Sequence, residues 1–110
     1  MAWPRNFNKF GSIRQDYQGH SYHSKREAAY AAELDLRVRA GELKEWRRQE
    51  AVELRVNDKK ICVYTIDFVE VDKKGKEMWT EVKGFETPEW RLKWKLFDAL
   101  FPERNKQIIK

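Results

Sequence analysis

The chain has 110 residues, a net charge of +5, 41% hydrophobic and 14% aromatic residues, and one cysteine, Cys62. That length suits one small domain with a modest core, and a lone cysteine excludes an intrachain disulfide framework or a zinc cluster. No run reaches the length of a membrane span and the opening MAWPRNFNKFG has no apolar leader segment, so a cytoplasmic protein is expected; the mild basic excess suits a polyanionic partner.

Residues 1–16 carry no sustained period and are expected to form a mobile basic arm, followed by a turn at Gln18-Gly19 between two short extended pieces. A helix is predicted over 24–40: SKREAAYAAELDLRVRAG is rich in strong helix formers, Ser24 suits the N-cap, and Gly41 suits the position just past the end. Glu27, Ala31, Leu34 and Val38 share one face of it. A short connection then leads into a strand over about 51–56, in which Val52, Leu54 and Val56 alternate with Glu53 and Arg55. Strands follow over about 61–71 (Cys62 among their small core residues) and 77–84, joined by DKKGK. Thr87-Pro88-Glu89 opens a second helix over 88–101, striped by Trp90, Trp94, Phe97 and Phe101 and ended by Pro102. Trp90 and Trp94 at this spacing suit a core or a dimer interface better than a base-stacking platform. KQIIK is a candidate last strand. The order predicts an α+β fold, with helices packed on a small sheet built around a β-meander.

The hairpin YTIDFVEVDKKGKEMWTEVKGF places charges inside two apolar, alternating runs. A turn centred on Lys74 sets Asp67 directly opposite Glu81, with Lys83 one pleat along on the same face. Val69, Val71 and Trp79 share that face, and Ile66, Phe68, Met78 and Val82 fill the other. Two carboxylates directly opposite each other destabilise a sheet unless something compensates. A solvated face is one account; a divalent cation, which takes hard oxygen ligands, is the other.

Asp67 followed by Glu81-Val82-Lys83 resembles the D…(D/E)-x-K signature of the PD-(D/E)XK nuclease superfamily. The wider pattern YHSKREAAYAAELDL…WRRQ…IDFVEV…EVKGFETPEWRLKWKLF, over about residues 17–101, is similar to short phage-encoded nucleases of that superfamily, to Holliday junction resolvases and to the endonuclease subunit of some transposons. Ile66 stands where the signature has its nominal proline. The resemblance implies a restriction-endonuclease-like core with a mixed sheet. It implies a single nuclease domain with Mg²⁺ or Mn²⁺ as cofactor, held by Asp67, Glu81 and the Val82 carbonyl. Lys83 would orient the attacking water or stabilise charge developing on phosphorus, and Glu27 would join from the first helix. Glu27 has a second account, since Ser24 and Glu27 have the spacing of a capping box.

DNA is the partner the resemblance implies, branched DNA in particular, cut by a homodimer inside a phage-infected bacterial cell. A chain this short has no room for a separate sequence-reading domain, which favours recognition of DNA shape. Lys25 and Arg26 at the helix start would face a bound backbone. Arg47 and Arg48 after Trp46, and Arg91 and Lys95 on the second helix, suit either a DNA contact or a solvated surface. His20 and His23 are surface residues by default and stand near enough to the helix start to contact phosphate. The alternatives to a resolvase are another DNA-processing or nicking nuclease, or a non-catalytic DNA-binding module on the same fold.

Overall fold

A computed structural model describes residues 15–17, 20–22 and 24–110, with side chains from residue 24 onward. Most of the expected basic arm, the Gln18-Gly19 turn and His23 lie outside the described residues. The two extended pieces are present as β1 (Gln15–Tyr17) and β2 (His20–Tyr22), antiparallel, with Tyr17 opposite His20.

Helix α1 (Lys25–Arg39) begins where the Ser24 hydroxyl accepts from the Glu27 amide at 3.2 Å. It stops at Gly41, whose φ of 83° lets Gly41 donate to the Val38 carbonyl and Glu42 to the Arg37 carbonyl, satisfying two end carbonyls. Strands β3 (Leu43–Val56) and β4 (Lys59–Asp72) form a long antiparallel ribbon. Asn57 and Asp58 link them, with φ of 49° and 65°, the left-handed pair that matches strand twist in a two-residue turn. β5 (Glu77–Val82) is antiparallel to β4, helix α2 (Pro88–Leu100) follows, and β6 (Asn105–Ile109) returns parallel to β5. The result is a mixed four-stranded sheet in the order β3-β4-β5-β6, flanked by two helices. The expected α+β class and the last strand are both present.

The connection expected before residue 51 is instead the first half of β3, paired along the sheet from Leu43 opposite Asp72 to Glu50 opposite Ile66. Its charges conceal it. Leu43 and Trp46 face α1, and the Trp46 indole donates to Asp35. Arg47 is held by Glu50 at 2.9 Å and Glu77 at 3.0 Å, so a strand dense in charge neutralises itself laterally.

Each helix covers one face of the sheet. α1 packs Ala28, Tyr30, Ala31 and Leu34 on Leu43, Phe68 and Val82. α2 packs Trp90 and Phe97 on Leu54, Tyr64, Ile66, Val69 and Trp79, which is the core role expected of the tryptophan stripe. Cys62 is a free thiol packed at the edge of this second cluster. Ile66 and Phe68 were expected on one face but lie in different layers. β4 turns over between them, at Asp67. Among the described residues no helix is long and apolar enough to cross a membrane.

Candidate active site

The β4–β5 ladder has the expected register: Phe68 opposite Thr80, Val69 opposite Trp79, Glu70 opposite Met78 and Val71 opposite Glu77. The next position brings Asp67 to Glu81, where the regular pairing stops. There the Asp67 carboxylate enters the gap, and its Oδ2 accepts from the Val82 amide at 2.9 Å. On the other side of β4, between the Arg48–Phe68 and Glu50–Ile66 pairs, Gln49 has φ 50°. A non-glycine residue in that region is held there by its surroundings, and such residues gather at functional sites. It accompanies the change of face at Asp67.

Glu81 is 3% exposed, and its Oε1 is buried with no hydrogen-bond partner among the described residues. Burial raises its pKa most and the Asp67 carboxylate raises it further, while the Tyr64 hydroxyl and Lys83 pull it down; the net effect is a rise from 4.5 to about 8. Lys83, just past the end of β5, is half-buried, with its ammonium 5.3 Å from the centroid of the Trp90 ring. Its amide donates to the Ile109 carbonyl at 2.8 Å, so β6 holds the backbone that carries it. The structure thus brings together Asp67, Glu81 and Lys83 as expected.

Two hard-oxygen carboxylates, one with an orphaned buried oxygen, fit Mg²⁺ or Mn²⁺, which use one or two carboxylates and leave other positions to water and phosphate. Among the described residues no group of three or more His, Cys, Asp or Glu side chains is arranged to hold a metal ion. The donor set on view is therefore the Asp67–Glu81 pair. Glu27, expected to join from α1, is buried there, 9% exposed, with its amide in the Ser24 cap, and does not form a three-carboxylate group with Asp67 and Glu81.

The basic residues sort by their partners. Arg26 lies over Gly84, directly after Lys83: a Cβ on Gly84 would come within 3.2 Å of the Arg26 Nη1. Lys25 is exposed beside it. Arg47 is occupied by acids within the sheet, Arg91 sits 3.4 Å from Glu86, and Lys95 is exposed on the same helix. Arg48 is half-buried next to the irregular Gln49.

Two groups escape sequence reasoning. One is Tyr64, 4% exposed, whose hydroxyl accepts from the Trp90 indole nitrogen at 2.8 Å next to Glu81. The other is Glu70, 3% exposed on the opposite face. Tyr30 and Thr80 hydroxyls, the Arg37 guanidinium and the Gln107 amide all donate to it. Nothing local marks Glu70 in IDFVEV, because its partners come from three other elements. A cavity of about 470 Å³ opens beside it, but neither Asp67 nor Glu81 lines that cavity. Four donors from α1, β5 and β6 already engage the Glu70 carboxylate, so it serves as an internal tie between α1, β4, β5 and β6.

A family profile described as a protein of unknown function, DUF1064, matches residues 7–110, and the chain belongs to that family. No curated protein and no solved structure matches it.

Proposed function

We propose that this chain is a metal-dependent endodeoxyribonuclease with a restriction-endonuclease-like core, selective for branched DNA and acting as a Holliday junction resolvase of the phage type. One observation carries the reading. Asp67 and Glu81 meet across a hairpin that opens at their position, with Lys83 beside them and a buried Glu81 oxygen that has no hydrogen-bond partner among the described residues. A hairpin gains nothing in stability from that arrangement.

Asp67 and Glu81 would hold Mg²⁺ or Mn²⁺, with the Val82 carbonyl as a further ligand. When bound, the ion supplies charge to polarise the scissile phosphate and lowers the pKa of a coordinated water. Asp67 contributes a carboxylate anchored by the Val82 amide, so its position is set before substrate arrives. Lys83, beside two acids, places its ammonium where charge develops on phosphorus. Arg26 and Lys25, at the start of α1, hold the backbone of the bound strand. Paired nicks in a four-way junction need two such sites, so the active species is a homodimer.

The test is cleavage of a synthetic four-way junction and of a linear duplex of matching sequence, with Mg²⁺, for the wild type and Asp67→Ala. Metal-dependent junction cleavage lost in Asp67→Ala supports the reading. Equal cutting of both substrates replaces the resolvase with a general DNA-processing nuclease. Undiminished cleavage in Asp67→Ala or in chelator removes this active site. Salt-dependent DNA binding with no cleavage and no metal dependence leaves a binding module.

A further inference from the structure

Three aromatic residues of α2, Trp90, Trp94 and Phe97, converge on Tyr64. Trp90 lies in the first turn of that helix, and its backbone amide is held by the Thr87 cap at 3.1 Å. Its ring stacks on Trp94 at 5.8 Å with 22° between the planes, which fixes its orientation. Its indole nitrogen donates to the Tyr64 hydroxyl at 2.8 Å, and its face carries Lys83.

Tyr64 is gripped on its other sides, edge-on to Trp94 at 6.4 Å and to Phe97 at 5.7 Å. A hydroxyl that accepts from Trp90 still has its own proton to donate. Glu81 and Asp67 are the acids whose charge bears on Tyr64. An indole N–H can only donate, so Trp90 donates and the Tyr64 hydroxyl accepts, which leaves the Tyr64 proton for an acceptor nearby; Glu81 has a buried Oε1 without a hydrogen-bond partner among the described residues. Hydrogen-bonded partners of this kind hold a metal-binding carboxylate in place and tune it as a ligand.

We infer that Trp90 and Tyr64 are a pair of positioning residues, through which helix α2 sets both the Glu81 carboxylate and the Lys83 ammonium for the bound cation and the phosphate. The inference rests on the metal-site reading above. A hydrophobic anchor alone needs no indole nitrogen aimed at a buried hydroxyl. Phenylalanine at position 64 fills nearly the same space and separates packing from positioning, whereas Trp90→Phe also removes buried ring volume and is read beside its melting temperature.

The experiment compares the wild type, Tyr64→Phe, Trp90→Phe, the double variant and Glu81→Gln. Mn²⁺ affinity is measured by calorimetry on folded protein, and junction cleavage is resolved into kcat and KM. Tyr64→Phe should weaken Mn²⁺ binding by about 10- to 100-fold, the range for partners of metal ligands, and lower kcat while leaving KM for DNA unchanged. Trp90→Phe should shift both readouts in the same direction. In Mn²⁺ affinity the double variant should be no worse than Tyr64→Phe, because both changes break one chain to Glu81. If Tyr64→Phe binds Mn²⁺ within about 2-fold of wild type while Glu81→Gln abolishes binding, the positioning role is overturned and the metal site stands. If Mn²⁺ binding is indifferent to Glu81→Gln, both readings fall. A lower melting temperature with Mn²⁺ affinity and kcat unchanged assigns Tyr64 to packing alone and overturns the inference.

Discussion

Replacing Glu81 with glutamine should make the metal-free protein more stable at neutral pH than the wild type. Burial, then the neighbouring Asp67 charge, lifts the Glu81 carboxyl from 4.5 to about 8. The folded state therefore binds this proton more tightly than the unfolded chain. The stabilising contribution is fully present below the unfolded value and is lost as pH rises towards the folded one. At about 1.36 kcal/mol per unit, the wild type should lose about 3 kcal/mol between pH 5 and pH 7.5 from this group. For a domain of this size that corresponds to roughly 10 °C in melting temperature. Glutamine does not titrate, so Glu81→Gln should lack this component. Urea or thermal denaturation of both proteins across that range, in chelator, measures the difference and cancels the other titrating groups. Mn²⁺ at 100 times its dissociation constant should return about 2.7 kcal/mol to the wild type and little to the variant. Parallel pH profiles for the two proteins in chelator would refute the claim that burial and the Asp67 charge hold the Glu81 carboxyl above its ordinary range.

Lys83→Ala should lower kcat for junction cleavage by about 10²- to 10³-fold with Mn²⁺ affinity retained, since the ammonium acts on developing charge rather than on the cation; a comparable loss of Mn²⁺ binding would reassign it. Glu70→Ala should cost about 3–5 kcal/mol in urea denaturation, because it strands the buried Tyr30 and Thr80 hydroxyls and the charge of Arg37. A loss below about 1 kcal/mol would mean that the network is dispensable. Thr87→Ala should cost about 1 kcal/mol through the lost Trp90 cap. Because that cap also seats the Trp90 indole, it should weaken Mn²⁺ binding where Ser24→Ala at the other helix does not.

What the chain makes legible is whatever is encoded locally. The β4–β5 register follows from a short turn and two strict alternations, and Asp67 came to Glu81 by counting alone. Both helices carry their caps in sequence at Ser24, Gly41, Thr87 and Pro88. What stayed hidden is set by tertiary partners. The first half of β3 reads as a polar connection because its stability comes from cross-strand ion pairs and from α1. The change of face between Ile66 and Phe68 breaks strict alternation, and the irregular Gln49 that accompanies it sits on a different strand. Tyr64 resembles any strand aromatic until α2 brings Trp90 to its hydroxyl 26 residues later in the chain.

The β3–β4 ribbon also carries slack in chain length. Near the Asn57-Asp58 turn, Arg55 opposes Lys60, but Leu54 opposes Cys62, so Ile61 is an extra residue bulged out of the ladder and 56% exposed. Loss of one residue from β4 between the turn and Tyr64 can be absorbed by closing that bulge, and pairing from Val52–Tyr64 onward survives. An added residue there has no such outlet and pushes β3 out of phase with β4, while the separate β4–β5 turn keeps Asp67 at Glu81. Length variants of this protein should therefore be asymmetric: single deletions accepted in the outer ribbon, single insertions rejected.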